Sequence, residues 1–165
     1  MHKTRWGIIG SGNIADAFAH SIKYCQKSEL ISIFGRNSET VSQFSTKFDI
    51  NPYSDLHDFL SSNEIDAVYI ATPHNSHYFY SLEAIKSNKH VLCEKPLTMN
   101  YLESMTLLNL AKEAKVFLME AYMYRTHPQT FNMLEHLDLF KNTKEKIFIE
   151  SSFGFSAELP KEHRL

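Results

Sequence analysis

Four short stretches hold the residues whose types and spacing could do chemistry. GSGNIA, residues 10–15, combines Gly10, Ser11, Gly12, Asn13, Ile14 and Ala15. Gly10 suits a tight turn, Gly12 removes the side chain that would hold a pyrophosphate away, and Ala15 lets a helix pack closely, so the N–H groups opening that helix would face phosphates. Read alone, the same pattern is a common tight turn, and methyltransferases use related ones. FGRNS, residues 34–38, carries no acid for a ribose 2′-hydroxyl. Arg36 instead offers a planar fork of donors for a 2′-phosphate, with Asn37 and Ser38 adding hydrogen bonds, which favours NADP while leaving NAD open. Arg36 also reads as a solvated turn residue. In ATPHNSHY, residues 71–78, Thr72 and Pro73 would form a rigid wall on the nicotinamide side, with His74 nearby. His74 and His77 lack a helix-spaced acid or cysteine, so no metal is expected and His77 reads as a helix-surface residue.

The fourth stretch, VLCEKPLT at 91–98, sets Lys95 between Glu94 and Pro96 where an apolar run stops. Pro96 restricts Lys95 to an extended backbone, which would aim it into a crevice. Beside an oxidised nicotinamide and partly desolvated, its amine would have a lowered proton affinity and could exchange a proton with a substrate hydroxyl. Glu94 would orient the cofactor ribose or the lysine. The plainer reading is a surface Glu-Lys pair before a turn proline.

These stretches need elements that bring them together. Short apolar runs alternate with longer amphipathic ones, which predicts an α/β fold with a doubly wound parallel sheet. Strands are expected at 4–10, 30–35, near Tyr53, and at 66–71, 90–93 and 116–120. The helices between them would place Ile14, Phe18 and Ile22 on one face, then Val41, Phe44 and Phe48 behind a Ser38 cap. The next would open at Asn75 or Ser76 with Phe79, Leu82 and Ile85 on one side. The last would run from an Asn100 cap to Ala114. In such a sheet ligands bind at the carboxyl ends of the strands, where all four stretches fall.

Composition narrows the class. The 165 residues are 43% hydrophobic, enough for one domain with a sizeable core. A formal charge of -2 and a pI near 6.5 leave no basic surface for nucleic acid or an anionic membrane. Two distant cysteines, Cys25 and Cys93, and no apolar run of targeting or membrane-spanning type make a reducing cytoplasm the plain expectation.

GSGNIA, ATPHNSH, EKPLT and EAYMYRTHP (120–128), in this order and spacing, resemble the Gfo/Idh/MocA oxidoreductases. The chain is most similar to the branch containing dihydrodiol dehydrogenases and glucose-fructose oxidoreductase-like enzymes. The resemblance implies NAD(P) chemistry on a sugar, cyclitol or diol, with Lys95 as the catalytic or substrate-positioning residue. It implies a supporting role in cofactor or substrate binding for Arg125, whose plainer reading is a hinge salt bridge. It divides the chain into a Rossmann domain at 1–121 and, at 122–165, the beginning of a second, substrate and oligomerisation domain. Of that domain the sequence holds a helix after Pro128, carrying Phe131, Leu134 and Leu137, and a strand-like run, KIFIESSFGF, at 146–155. Left unpaired, that strand would leave the chain a homo-oligomer through that edge, poorly soluble, or mobile after about Tyr124. The family's glycine-rich segment and substrate-site Asp would lie beyond residue 165, so a natural truncation and a fragment both stay open. An NADP-dependent oxidoreductase is the leading expectation, and a catalytically incomplete nucleotide-binding module is the alternative.

Overall fold

A computed structural model describes residues 3–140 together with residues 146, 148, 150–152 and 154. Strands and helices alternate: β1 (Thr4–Ile9), α1 (Asn13–Ile22), β2 (Ser28–Phe34), α2 (Ser38–Phe48), β3 (Asn51–Tyr53), α3 (Leu56–Ser61), β4 (Ala67–Ile70), α4 (His77–Lys86), β5 (His90–Cys93), α5 (Tyr101–Ala114) and β6 (Leu118–Glu120). All the strand pairs are parallel, in the order β3-β2-β1-β4-β5-β6, so the connections run outward in both directions from the β1/β4 boundary. This is the doubly wound sheet expected from the alternation.

The central strands are buried where both their faces are covered, along all of β4 (Ala67–Ile70) and over the last three residues of β1, Gly7 to Ile9. Successive residues serve opposite layers: Ile8, Ile33 and Tyr69 pack with Ala15, Ala19, Val41 and Phe44 of α1 and α2. Ile9, Phe34, Val68 and Ile70 pack with Phe59, Ala84, Ile85 and Leu107 of α3, α4 and α5. As expected, Asn100 caps α5, its side chain accepting the Glu103 N–H at 3.0 Å.

Several details depart from the sequence expectations. The buried face of α1 runs through Ala15, Ala19 and Ile22 and leaves Ile14 exposed, because two alanines let the helix approach on their side. The cap of α2 is Asn37, whose side chain accepts from the Glu39 and Thr40 N–H groups, so Ser38 is the first helical residue. In α4 the buried face holds His77, Tyr80, Ser81, Ala84 and Ile85, and Phe79 is exposed. Polar His77 and Ser81 hide that face from an apolar-periodicity reading. The six-residue α3 was not expected, being too short to show a period. Asp55 caps it, and it delivers Phe59 to the core with no exposure.

Contacts divide the chain into two units with the boundary between Met123 and Tyr124. In the second unit a helix, α6 (Pro128–Phe140), opens on a proline, whose missing N–H would be unpaired at that position anyway. Phe131 and Leu134, expected on its apolar face, are exposed. The strand expected over 146–155 falls largely outside the described residues.

Gly7 in β1 makes room for Phe59: a Cβ there would lie 2.5 Å from Phe59 Cζ and 3.1 Å from Ser32 Oγ. Gly7→Ala is therefore expected to destabilise the fold by about 1–3 kcal/mol through overpacking. Urea denaturation followed by far-UV dichroism checks this, and an unchanged midpoint would mean that the Phe59 ring has space to yield.

Candidate active site

Hydrogen bonds that continue the sheet past its strands bring the four stretches to one edge. Gly10 N–H donates to Phe34 O at 2.8 Å, Ala71 N–H to Ile9 O at 2.9 Å, Glu94 N–H to Ile70 O at 3.0 Å and Ala121 N–H to Cys93 O at 2.8 Å. The turns after β2, β1, β4 and β5 thus stand side by side, and three interstrand spacings, roughly 14 Å, separate the first from the last. The sheet changes winding direction between β1 and β4, which is where doubly wound folds open a ligand crevice.

Gly10 has φ +107°, and a Cβ on it would sit 2.7 Å from the Ala71 carbonyl oxygen, so only glycine lets β1 turn this close to β4. Gly12 is different. A Cβ there would meet nothing within 4 Å, so packing does not demand a glycine, whereas a ligand approaching the backbone does. Gly12 caps α1 without a side-chain hydrogen bond, leaving the first N–H groups of α1, from Asn13 and Ile14 onward, free of a side-chain cap. Exposed Ile14 borders the same opening. Ser11 Oγ donates to Thr40 Oγ1 at 2.8 Å, tying this turn to the start of α2. The cradle fits a pyrophosphate.

Beyond β2, Arg36 is exposed and makes no ion pair or hydrogen bond among the described residues. Asn37 Oδ1 is committed to capping α2. This end of the crevice therefore offers an uncompensated guanidinium next to a capped helix start.

The turns after β4 and β5 are locked together by residues that sequence reasoning missed. His77 is fully buried, correcting its expected place on the helix surface. Its ring lies 2.9 Å from Thr72 O through Nε2 and 2.7 Å from Pro96 O through Nδ1, so it bridges the two walls. Ser76 Oγ donates to Pro73 O at 2.7 Å and can accept from the Thr72 hydroxyl, whose Oγ1 lies 2.9 Å away, holding the Thr72–Pro73 turn, while His74 is exposed in the 3₁₀ turn that follows. Leu97 N–H donates to the Glu120 carboxylate of β6 at 2.8 Å. Glu94 accepts from Tyr69 Oη at 2.7 Å through Oε1 and from its neighbour Lys95 N–H at 3.3 Å through Oε2. Burial pushes the Cys93 thiol up to about 12, which keeps it protonated and unreactive beside the turn. The Lys95–Pro96 peptide is cis, where an extended lysine followed by a proline was all the sequence offered.

Lys95 itself is exposed, and its amine has no partner among the described residues. Arg125 lies past the unit boundary, in the 3₁₀ turn Met123–Thr126, and is exposed. Among the described residues, one trio of metal-ligating type comes within 4.8 Å, Asp55, His57 and Asp58 on the exposed surface of α3, and it includes neither His74 nor His77. No described helix is long and apolar enough to cross a membrane.

Comparison with known proteins agrees with this arrangement. The chain is 34% identical over 134 residues to a scyllo-inositol 2-dehydrogenase (NADP(+)) of Bacillus subtilis, covering 81% of the chain and 41% of that protein. It is 31% identical over 132 residues to a trans-1,2-dihydrobenzene-1,2-diol dehydrogenase of Danio rerio, covering 78% and 40%. The 3-ketoreductase KijD10 of Actinomadura kijaniata, solved in complex with NADP, superimposes with a TM-score of 0.77 at 29% identity, covering 84% of the chain and 44% of that structure. The chain thus spans about two fifths of the length of these relatives. The model of the GFO/IDH/MocA oxidoreductases, described as an oxidoreductase family with an NAD-binding Rossmann fold, matches residues 4–122. With the glycine cradle, the parallel sheet and the ordered turns all in place, the chain belongs to this Gfo/Idh/MocA family of NAD(P)-binding oxidoreductases.

Proposed function

We propose that the chain is the nucleotide-binding part of an NADP-dependent oxidoreductase acting on the CH–OH group of a sugar, cyclitol or diol, with residues 1–121 as the Rossmann domain and 122–165 belonging to a substrate and oligomerisation domain. The observation that carries the reading is the order of the turns along one sheet edge. Arg36, whose guanidinium has no partner among the described residues, lies at one end, a glycine cradle follows, and Lys95, whose amine likewise has none among them, lies at the other end. Gly10, Ser11, Gly12, Asn13 and Ile14 receive the pyrophosphate, and Arg36, with Asn37 and Ser38, the adenosine 2′-phosphate. Thr72, Pro73 and His74 flank the nicotinamide, Glu94 takes a ribose hydroxyl, and Arg125 supports cofactor or substrate. Two of the relatives, a scyllo-inositol 2-dehydrogenase and a D-xylose 1-dehydrogenase, are NADP(+) enzymes. The reading also makes the protein cytoplasmic, with no nucleic-acid or membrane partner, and leaves a homo-oligomer open.

When bound, the cofactor supplies the hydride acceptor or donor. The protein supplies the proton path. In oxidation the unprotonated Lys95 Nζ takes the substrate hydroxyl proton as the C–H hydride leaves; in reduction the ammonium returns it to the carbonyl oxygen. The clamps on Glu94, Pro96 and Leu97 hold the Lys95 backbone so that its side chain alone has to settle on the substrate. A nucleotide-binding module without turnover is the second reading.

NADPH is expected to bind more tightly than NADH, and Arg36→Ala should remove that preference at a cost on the order of 1 to 3 kcal/mol for NADPH alone. Nicotinamide fluorescence titration reads both affinities; equal affinities in the unmodified chain would reject the role of Arg36.

Lys95→Met keeps most of the side-chain stem and removes the amine. Turnover of a responsive polyol or sugar should fall roughly a hundredfold or more while NADPH binding largely survives. Retained turnover would return Lys95 to an ordinary surface residue, and NADPH binding without turnover across a substrate panel would favour the module reading.

A further inference from the structure

We propose that Tyr69 is a positioning residue for the cofactor site, fixing the Glu94 carboxylate through its hydroxyl while its ring is locked against α1. Tyr69 belongs to β4 and is 3% exposed. Its ring stacks on Phe18 of α1 at 4.1 Å between centroids and 23° between planes, and Phe18 meets Trp6 of β1 edge-on at 5.6 Å. A phenol buried this way needs a hydrogen-bond partner. The partner is Glu94 Oε1 at 2.7 Å.

The sheet geometry makes the pair inevitable. Tyr69 stands opposite Leu92 in the β4–β5 register, and side chains two apart share a face, so Glu94 emerges diagonally beside Tyr69 on the layer that holds α1. Burial first, and then the hydrogen bond to Glu94, push the phenol well above its ordinary range, so Tyr69 stays a donor and Glu94 the acceptor. One carboxylate oxygen is thereby committed, and Oε2, which among the described residues takes only the long Lys95 N–H contact, can accept from a hydroxyl in the crevice. The same stack seats Phe18, the sixth residue of the helix whose start forms the glycine cradle. One aromatic contact therefore registers the group that meets phosphate with the group that meets ribose.

The inference rests on the reading that Glu94 faces the cofactor, and the experiment separates the two. NADPH and NADH affinities are measured for the unmodified chain, Tyr69→Phe, Glu94→Ala and the double variant, with thermal melts alongside. Tyr69→Phe keeps the stack and is expected to weaken both nucleotides by the same factor, roughly three- to tenfold, because the nicotinamide ribose is common to both. Glu94→Ala should weaken both as well, and adding Tyr69→Phe to it should cost nothing more, since the hydroxyl then has no carboxylate to hold. This comparison within the Glu94→Ala background reads the coupling whatever the stability of the single tyrosine variant. Unchanged affinity in Tyr69→Phe with a loss in Glu94→Ala overturns the role of Tyr69 alone. Additive losses overturn it too, because Tyr69 would then act independently of Glu94. Unchanged affinity in Glu94→Ala removes the cofactor-facing reading of Glu94, and with it the inference.

Discussion

The approach of Gly10 to the Ala71 carbonyl is the constraint on which the rest depends. A Cβ at this point would lie 2.7 Å from that oxygen, and the backbone bends through φ +107° to leave β1. Because the two central strands end so close together, the chain can turn directly into α1 while the next parallel strand begins its own turn alongside. The winding reversal at β1/β4 then leaves a crevice rather than a packed edge. Gly12, two residues on, has open space around it, so the same turn contains one glycine required by packing and one whose backbone is left accessible.

The opposite wall is built by hydrogen bonds instead of close packing. Three residues from three elements hold the turn that carries Lys95: Tyr69 of β4 through Glu94, His77 of α4 through Pro96 O, and Glu120 of β6 through the Leu97 N–H. Tyr69 and His77 are buried and spend their polar atoms on this turn or its neighbour. Such fixed positioning of a short turn is what a reacting group needs when its own side chain is long and mobile. Lys95, by contrast, is exposed and its amine has no partner among the described residues.

Much of this was legible in the sequence because central parallel strands are apolar runs and their turns carry glycine, proline and charge. HVLC at 90–93 and the Asn100 cap fall where the pattern put them, and GSGNIA, FGRNS, ATPH and EKP all reach the same edge. What was not legible depends on distance along the chain. Tyr69 finds Glu94 25 positions away, and His77 finds Pro96 19 away, so a tyrosine inside an apolar strand and a histidine in a helix looked like ordinary core and surface residues. The α1 face was misplaced because Ala15 and Ala19, small and unremarkable in a hydropathy pattern, set the packing direction. Asn37 and Ser38 are both good caps, and only geometry chose between them.

The most direct test of the account is an amide-resolved NMR titration of the chain with NADPH, since it asks where the nucleotide lies without presuming any residue's role. The account predicts shift changes confined to residues 10–15, 36–38, 72–74 and 94–97, with the Tyr69 and His77 amides responding through the turns they hold. Perturbations gathered away from this edge, for example around Lys23, Cys25 and Glu29 where a separate cavity opens, would contradict it.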